Sequence, residues 1–376
     1  MRTLQTIAGF DAYSGGTSTC TYELLAAMHR MSCDVDLMTL QATDLMGYGE
    51  KWIKALPDDS ISSYGYSRNI NRFLQQSDYD LYHTNGLWMH CNHQTCMEAR
   101  KKSKPYIITS HGMLYPEALK RSYWKKWPFI QLFFKKDIHD ATCIHVTCKQ
   151  EMEYIRQFGY KGAIAVVPNP IKNPDYIESI KRDNSRKRFG FLGRLHPRKG
   201  VERILYAAGI IKEHQKDFEI SIMGAGEIGY ENFLKSEIQR LQLNNVRFCG
   251  FLSGQEKFKA LASLSALFVP SDFENFGMII PEALSVGTPV MASLGTPWEE
   301  LNTRQCGWWV DRSPENIAKI MNEILHMDIS QLEEMGQKGK FLVAECYEAG
   351  KVAFKMDRLY TWILEGGEKP DFVYTK

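Results

Sequence analysis

The sequence predicts an α/β protein built as two doubly wound domains in tandem. Three observations carry that prediction. Short apolar strands alternate with helical stretches along the chain, the pattern of parallel sheets joined by helical crossovers. The alternation halts once, at VPNPIKNPDY and the polar SIKRDNSRKR that follows, and then starts afresh. Finally, 376 residues are too many for one ordinary domain and suit two.

In the first half the expected strands are LQTIA (4–8), VDLMTL (35–40), YDLYH (79–83), PYIITS (105–110), CIHVT (143–147) and IAVVP (164–168), with helices between them, such as TCTYELLAAMHR from Thr19. Three prolines and two asparagines in VPNPIKNPDY make the best linker, so the boundary is expected near 170–187. Beyond it, strands are expected at 188–193, 218–223, 246–250, 266–270, 289–293 and 308–310, and helices at 200–213, 230–241, 255–264, 279–286 and 314–326, with two more in the last fifty residues. This gives a first domain over 1–172, a linker over 173–187, a second domain over 188–345 and a terminal helix over 346–376. Ligands of such sheets bind at the carboxyl ends of the strands, so a cleft between two facing sheets is the expected site.

Composition excludes several classes. Lys and Arg (46) nearly balance Asp and Glu (44), leaving a net charge of +2. A dedicated nucleic-acid binder needs a stronger basic excess to neutralise phosphates, so no nucleic-acid partner is expected. No run of about 18 uncharged apolar residues could span a bilayer, and MRTLQTIAGF does not read as a signal peptide. Nine scattered cysteines fit reduced thiols in a cytoplasmic protein. HCNHQTC (90–96) crowds potential ligands but lacks the paired spacing of zinc sites, so no metal is expected there.

Several turns could carry chemistry. MGAGEIG, with Gly224, Gly226 and Glu227, fits G-x-G-x-x-G after a strand, but no acid closes the following strand VRFCG to hold a ribose. A dinucleotide site is therefore disfavoured, and a glycine turn that lets a ligand approach the backbone remains. GFLGRLHPRKG places Arg194 and Lys199 at the mouth of a helix, which is either an anion site or a solvated basic turn. YSGGTSTC sets Gly15 and Gly16 between the first strand and first helix, and SHGM puts His111 just past a strand end. In DFENFGMIIPEALSVGTPV, Glu274 and Asn275 belong to a loop at a strand's carboxyl end, whereas Glu282 belongs to the first turn of a helix. Two carboxylates could flank a glycosidic bond as acid and base. That reading leaves the Arg194 and Lys199 pair without a task; hydrogen bonding to sugar hydroxyls suits both carboxylates better.

ENFGMIIPE followed by ALSVGTPV, together with GGT, SHG, VPNPI, GRLHPRKG and MGAGE in this order, resembles the signature of family-4 retaining glycosyltransferases. The resemblance spans nearly the whole chain and is densest over 188–300. It implies the GT-B fold, two Rossmann-like domains facing each other across a cleft, with the first on the acceptor side and the second binding a nucleotide-sugar. It implies that Glu282 holds ribose hydroxyls, that Glu274 bonds the donor sugar, and that backbone N–H groups of Phe276, Gly277 and Met278 lie near sugar and phosphate. Arg194 and Lys199 would neutralise the diphosphate without a metal or other cofactor, His111 would meet the sugar, and Gly16 would let the backbone approach the phosphate. Pro281 directly before Glu282 departs from the family pattern. A nucleotide-sugar 2-epimerase of the same fold, or a non-catalytic sugar-nucleotide binder, stays open as an alternative.

ALKRSYWKKWPFIQLFFKK (118–136) has six basic residues, no acidic ones and interleaved aromatics. It reads either as an anionic-membrane surface or as core aromatics with solvated lysines. The membrane reading would suit a glycan or lipid-linked glycan acceptor and a peripheral place at the inner face of the plasma membrane.

Overall fold

The computed structural model describes residues 1–11, 16–120, 134–182, 186–214 and 216–375. The chain forms two compact units, Met1–Pro170 with Ala349–Lys376, and Ile171–Glu348. Residues 173–182, from the stretch 173–187 expected as a linker, belong to the second unit. Ile177 is buried in its core. Arg182 donates to the carbonyls of Gly287 and Leu264 and to Thr288 Oγ1 at 3.1 Å. A basic residue in a polar run looks solvated in sequence; here its guanidinium reaches two carbonyls and a hydroxyl instead.

In the first unit the strands are β1 (Arg2–Ile7), β2 (Asp34–Leu40), β3 (Ile53–Leu56), β4 (Leu81–Asn85), β5 (Tyr106–Thr109), β6 (Cys143–Val146) and β7 (Ala163–Val166). They lie in the order β7-β6-β5-β4-β1-β2-β3, all parallel. Both faces of a parallel sheet are covered by helices, so inner strands read as continuous apolar runs. Cys143, Ile144 and Val146 of β6 are each wholly buried accordingly. β3 escapes a sequence reading because IKAL is short, carries a lysine and is only half-buried at the sheet edge.

The second unit holds β8 (Lys187–Leu192), β9 (Phe218–Met223), β10 (Val246–Gly250), β11 (Ala266–Val269), β12 (Val290–Ser293) and β13 (Gly307–Val310). Their order is β10-β9-β8-β11-β12-β13, again parallel throughout. One core cluster joins Phe189, Ile204, Ile220 and Ile317; the other joins Leu267, Ile280, Leu284 and Trp298 on the opposite face. The expected helix at 314–326 forms as Pro314–His326, with proline in its first turn, where no N–H is lost.

The chain then returns to the first unit. Helix Ala349–Glu365 buries Ala349, Val352, Ala353, Met356, Leu359 and Tyr360, an i, i+3, i+4, i+7 stripe. That stripe packs with Leu24, Leu25 and Met28 of helix Gly16–Arg30. At about 25 cal/mol per Å², burying Met356 or Leu359 is worth roughly 1.5–3 kcal/mol. Val373–Tyr374 then adds β14, a two-residue antiparallel edge on β7. So short a strand leaves no periodicity to read.

Candidate active site

The strand order of the second unit reverses between β8 and β11, which makes their carboxyl ends the topological switch point. The turns leaving these two strands are bound together. After β8 the 3₁₀ turn Pro197–Lys199 leads through Gly200, φ +68°, into helix Val201–Ile210. A Cβ on Gly200 would stand 2.6 Å from the Pro270 carbonyl, so the turns touch backbone to backbone. Arg203 donates to that carbonyl and to Asp272 Oδ1, both at 2.7 Å, and Asp272 N–H donates to Arg198 O at 2.8 Å.

On this frame Lys199 forms an ion pair with Glu274. The same carboxylate oxygen, Oε1, accepts from Ser271 Oγ at 2.7 Å, while Oε2 accepts no bond from any described residue. Arg194, in the same turn, is exposed and makes no ion pair or hydrogen bond among the described residues. Lys199, Arg194 and Glu274 therefore offer a tethered cation, an unpaired cation and an open carboxylate oxygen.

Glu282 lies in the first turn of helix Ile279–Ser285, as expected, and Pro281 is its third residue, where no intrahelical N–H is lost. Lys257, from helix Gly254–Ala262, pairs with Glu282 Oε1 at 2.8 Å. The loop Asn275–Met278 runs between the two glutamates. Trp298 Nε1 donates to the Phe276 carbonyl, and Phe276, Trp298 and Tyr347 pack ring to ring with centroids 5.1–5.7 Å apart. Gly277 has φ +76°. The N–H groups of Phe276, Gly277 and Met278 donate to no acceptor among the described residues. Lys257, Arg203 and Asp272 went unread as site residues, because each acts through a contact between distant segments that no spacing reveals.

Gly224 and Gly226 follow β9 and are demanded by the neighbouring turn. A Cβ on Gly224 would meet the Gly193 carbonyl at 1.8 Å, and one on Gly226 would meet the Leu195 carbonyl at 1.9 Å. Gly193 N–H donates to Met223 O at 3.0 Å and Leu195 N–H to Ala225 O at 2.9 Å. The two turns thus extend the β8–β9 ladder past the strands, which accounts for the glycines without a ligand. Glu227 is an exposed N-cap residue whose side chain makes no capping bond. A cavity of about 600 Å³ in this unit is lined by Arg188, Glu219, Ser221, Met223, Arg247 and Cys249, along β8–β10, and by none of the residues in the turns at the switch point.

In the first unit His111 follows β5 in a left-handed conformation, φ +46°, with Gly112 at φ +73°. Glu151 fastens this turn: its carboxylate accepts from Ser110 Oγ at 2.6 Å, Gly112 N–H at 2.5 Å and Thr147 N–H at 2.9 Å. Burial pushes the Glu151 carboxyl up despite those donors. His111 Nε2 lies 3.2 Å from Asn85 Oδ1 at the end of β4. Burial, with a smaller contribution from His145, lowers the His111 imidazole to about 3, so the ring is neutral near pH 7.

Gly16 opens helix Gly16–Arg30 after β1, whereas Gly15 lies outside the described residues. So does most of 118–136, from 121 to 133. HCNHQTC lies on helix His90–Lys101: His90 Nδ1 accepts from Ser67 N–H at 3.3 Å, and His93 pairs with Asp137 at 2.6 Å. Among the described residues no three His, Cys, Asp or Glu side chains gather to hold a metal, and no helix is long and apolar enough to cross a membrane.

Two doubly wound α/β units, one with an acid–base cluster at its switch point, define the class of GT-B proteins. Residues 14–172 match the family described as Glycosyltransferase Family 4, and residues 172–341 match Glycosyl transferases group 1. The chain belongs to this glycosyltransferase family. An uncharacterised glycosyltransferase of Methanocaldococcus jannaschii is 28% identical over 194 residues, 51% of this chain and 49% of the relative. The phosphatidyl-myo-inositol mannosyltransferase of Mycobacterium leprae is 34% identical over 139 residues, 35% of this chain and 36% of the relative. The matches thus span 49% and 60% of the first curated relatives' own lengths. Among solved structures, HepE of Anabaena in complex with UDP and glucose superposes with a TM-score of 0.75 at 18% identity, covering 96% of this chain and 99% of that one. Sucrose-phosphate synthase of Thermosynechococcus elongatus does so with a TM-score of 0.76 at 17% identity, covering 98% and 100%.

Proposed function

We propose that the protein is a retaining glycosyltransferase that moves a hexose-type sugar from a nucleoside diphosphate sugar to a hydroxyl of a glycan or lipid-linked glycan. The observation that carries this reading is the Lys199–Glu274 pair at the switch point, beside the unpaired Arg194. Arg194 and Lys199 supply two positive charges for a diphosphate, and stabilising that group as it leaves is what transfer requires. Glu274 Oε2 accepts a sugar hydroxyl, and Glu282, steadied by Lys257, accepts the ribose hydroxyls. The N–H groups of Phe276, Gly277 and Met278 serve sugar and phosphate oxygens. His111 contributes a neutral ring to the sugar. With the two cations opposing the phosphate charge, the reaction proceeds without a metal.

UDP is the favoured nucleotide, supported by the UDP held in HepE; GDP is the second choice. Lipid-linked acceptors are supported by the phosphatidyl-myo-inositol mannosyltransferase and by the basic aromatic segment 118–136, which suits an anionic membrane face. On this reading the protein works at the inner face of the plasma membrane, in surface polysaccharide assembly. A thermal-shift screen of UDP- and GDP-hexoses, followed by transfer assays with the stabilising donor, tests the reading. Free nucleoside diphosphate with a new α-linked glycoside is expected. A donor converted to its 2-epimer, or no stabilisation by any nucleotide-sugar, would overturn it.

A further inference from the structure

Behind His111, a file of buried polar side chains crosses the sheet of the first unit, and its hydrogen bonds have a single polarity. His145 Nε2 lies 2.8 Å from the Val167 carbonyl. A carbonyl only accepts, so this nitrogen carries the proton and Nδ1 is bare. Thr109 Oγ1, 2.8 Å from that Nδ1, therefore donates to it and accepts from His83 Nε2–H at 2.6 Å. His83 Nδ1 is then bare and accepts the phenolic proton of Tyr360 at 2.7 Å. Tyr360 oxygen accepts from Gln5 Nε2 at 2.8 Å, and Gln5 Oε1 accepts from Asn85 Nδ2 at 2.8 Å. Asn85 Oδ1 is left to accept from His111 Nε2 at 3.2 Å.

The other end of the file agrees. Asn85 Nδ2 also lies 3.5 Å from the Thr6 carbonyl, so turning the amide over would set two acceptors against each other. Tyr360, Gln5, His83 and Thr109 are all within 1% of full burial, where reversing one link leaves unpaired groups that water cannot reach. Burial also keeps the three rings neutral: His111 is lowered to about 3, His145 to about 4, and His83 well below its ordinary range. A neutral ring has one proton, so each link dictates the next.

We infer that Tyr360 and His83 are positioning residues for His111: through Gln5 and Asn85 they fix its proton on Nε2 and leave Nδ1 as the acceptor for a hydroxyl of the sugar. This gives the returning helix Ala349–Glu365 a task beyond packing, because it brings the Tyr360 oxygen into the middle of the file. The role of Nδ1 rests on the proposed meeting of His111 with the sugar; the polarity of the file does not.

Long-range ¹H–¹⁵N correlation spectra of the full chain, labelled at histidine, test the inference. In the wild type at pH 7, His83, His111 and His145 are each expected as the Nε2–H tautomer alone. An Nδ1–H signal from His111 would overturn the inference without any variant. Tyr360→Phe is expected to mix the tautomers of His111 and to lower kcat up to about tenfold, the worth of one hydrogen bond, with little change in donor KM. Thr109→Val is expected to act alike, and Thr109→Ser to restore both readouts. An unchanged His111 tautomer in Tyr360→Phe would assign the lock to Asn85 and Thr6 and remove Tyr360 from it. If His111→Asn kept the full transfer rate while the spectra behaved as expected, the sugar contact would fall and the file would stand.

Discussion

Lys199 and Glu274 form an ion pair that joins the turn leaving β8 to the loop leaving β11. Both side chains are mostly buried, and Ser271 shares the accepting oxygen. The pair holds a cation at the place where the proposed leaving group gains charge. Lys199→Ala is expected to lower kcat by about 10²–10³-fold, the usual worth of one preorganised group facing a developing charge. Lys199→Arg should recover only part, since a planar fork does not replace a point charge at this carboxylate. Single-turnover transfer assays check this. Wild-type transfer by Lys199→Ala would remove the phosphate assignment.

Glu282 is expected to act on binding rather than on the chemical step. Glu282→Gln keeps the shape, loses the charge and leaves Lys257 unpaired. Hydrogen bonds to a charged group are worth about 1.5–3 kcal/mol, so donor Kd should rise on the order of ten- to a hundredfold. Titration calorimetry with the nucleotide-sugar reads this directly. A fall in kcat at saturating donor with Kd unchanged would place Glu282 at the reacting centre instead.

Two glycines of one motif should respond in opposite ways. Gly226→Ala drives a Cβ against the Leu195 carbonyl and is expected to destabilise by about 1–3 kcal/mol. Gly229→Ala meets nothing within 4 Å, in the first turn of helix Ile228–Leu241, and should stabilise by up to about 1 kcal/mol. Urea midpoints of the two variants decide it. Equal effects would mean that the turns after β8 and β9 are not packed as described.

Stability should fall on mild acidification. His111 and His145 are lowered in the folded protein from 6.5 to about 3 and about 4. Between those values and 6.5 the unfolded chain binds protons that the folded chain refuses. Their contribution is therefore fully present above about pH 6.5 and is lost as pH falls towards 4. Urea midpoints at pH 7 and pH 5 should differ in that direction, and His145→Gln should flatten the profile. A midpoint that rose on acidification would contradict the neutral rings.

Much of the fold was legible because parallel strands buried on both faces write themselves as apolar runs. FEISIM, VRFCG and the helix from Pro314 form at their expected places. β3 and β14 were missed because half-buried and two-residue edges carry no such run. The stretch 173–187 read as a linker because a half-buried arginine bonded to carbonyls and a solvated one look alike in sequence.

By itself the sequence determined the alternation, the break near residue 170, and the local company of each motif: Glu274 past a strand, Glu282 at a helix start, Lys199 at a turn. Those are facts of spacing and conformational preference, which a linear chain contains. Only the tertiary structure decided that Lys199 is tied to Glu274 and Lys257 to Glu282, that Gly224 and Gly226 yield to neighbouring carbonyls, and that Tyr360 stands in line with His111. Each joins segments far apart in the chain, and their register depends on how the sheets and helices pack.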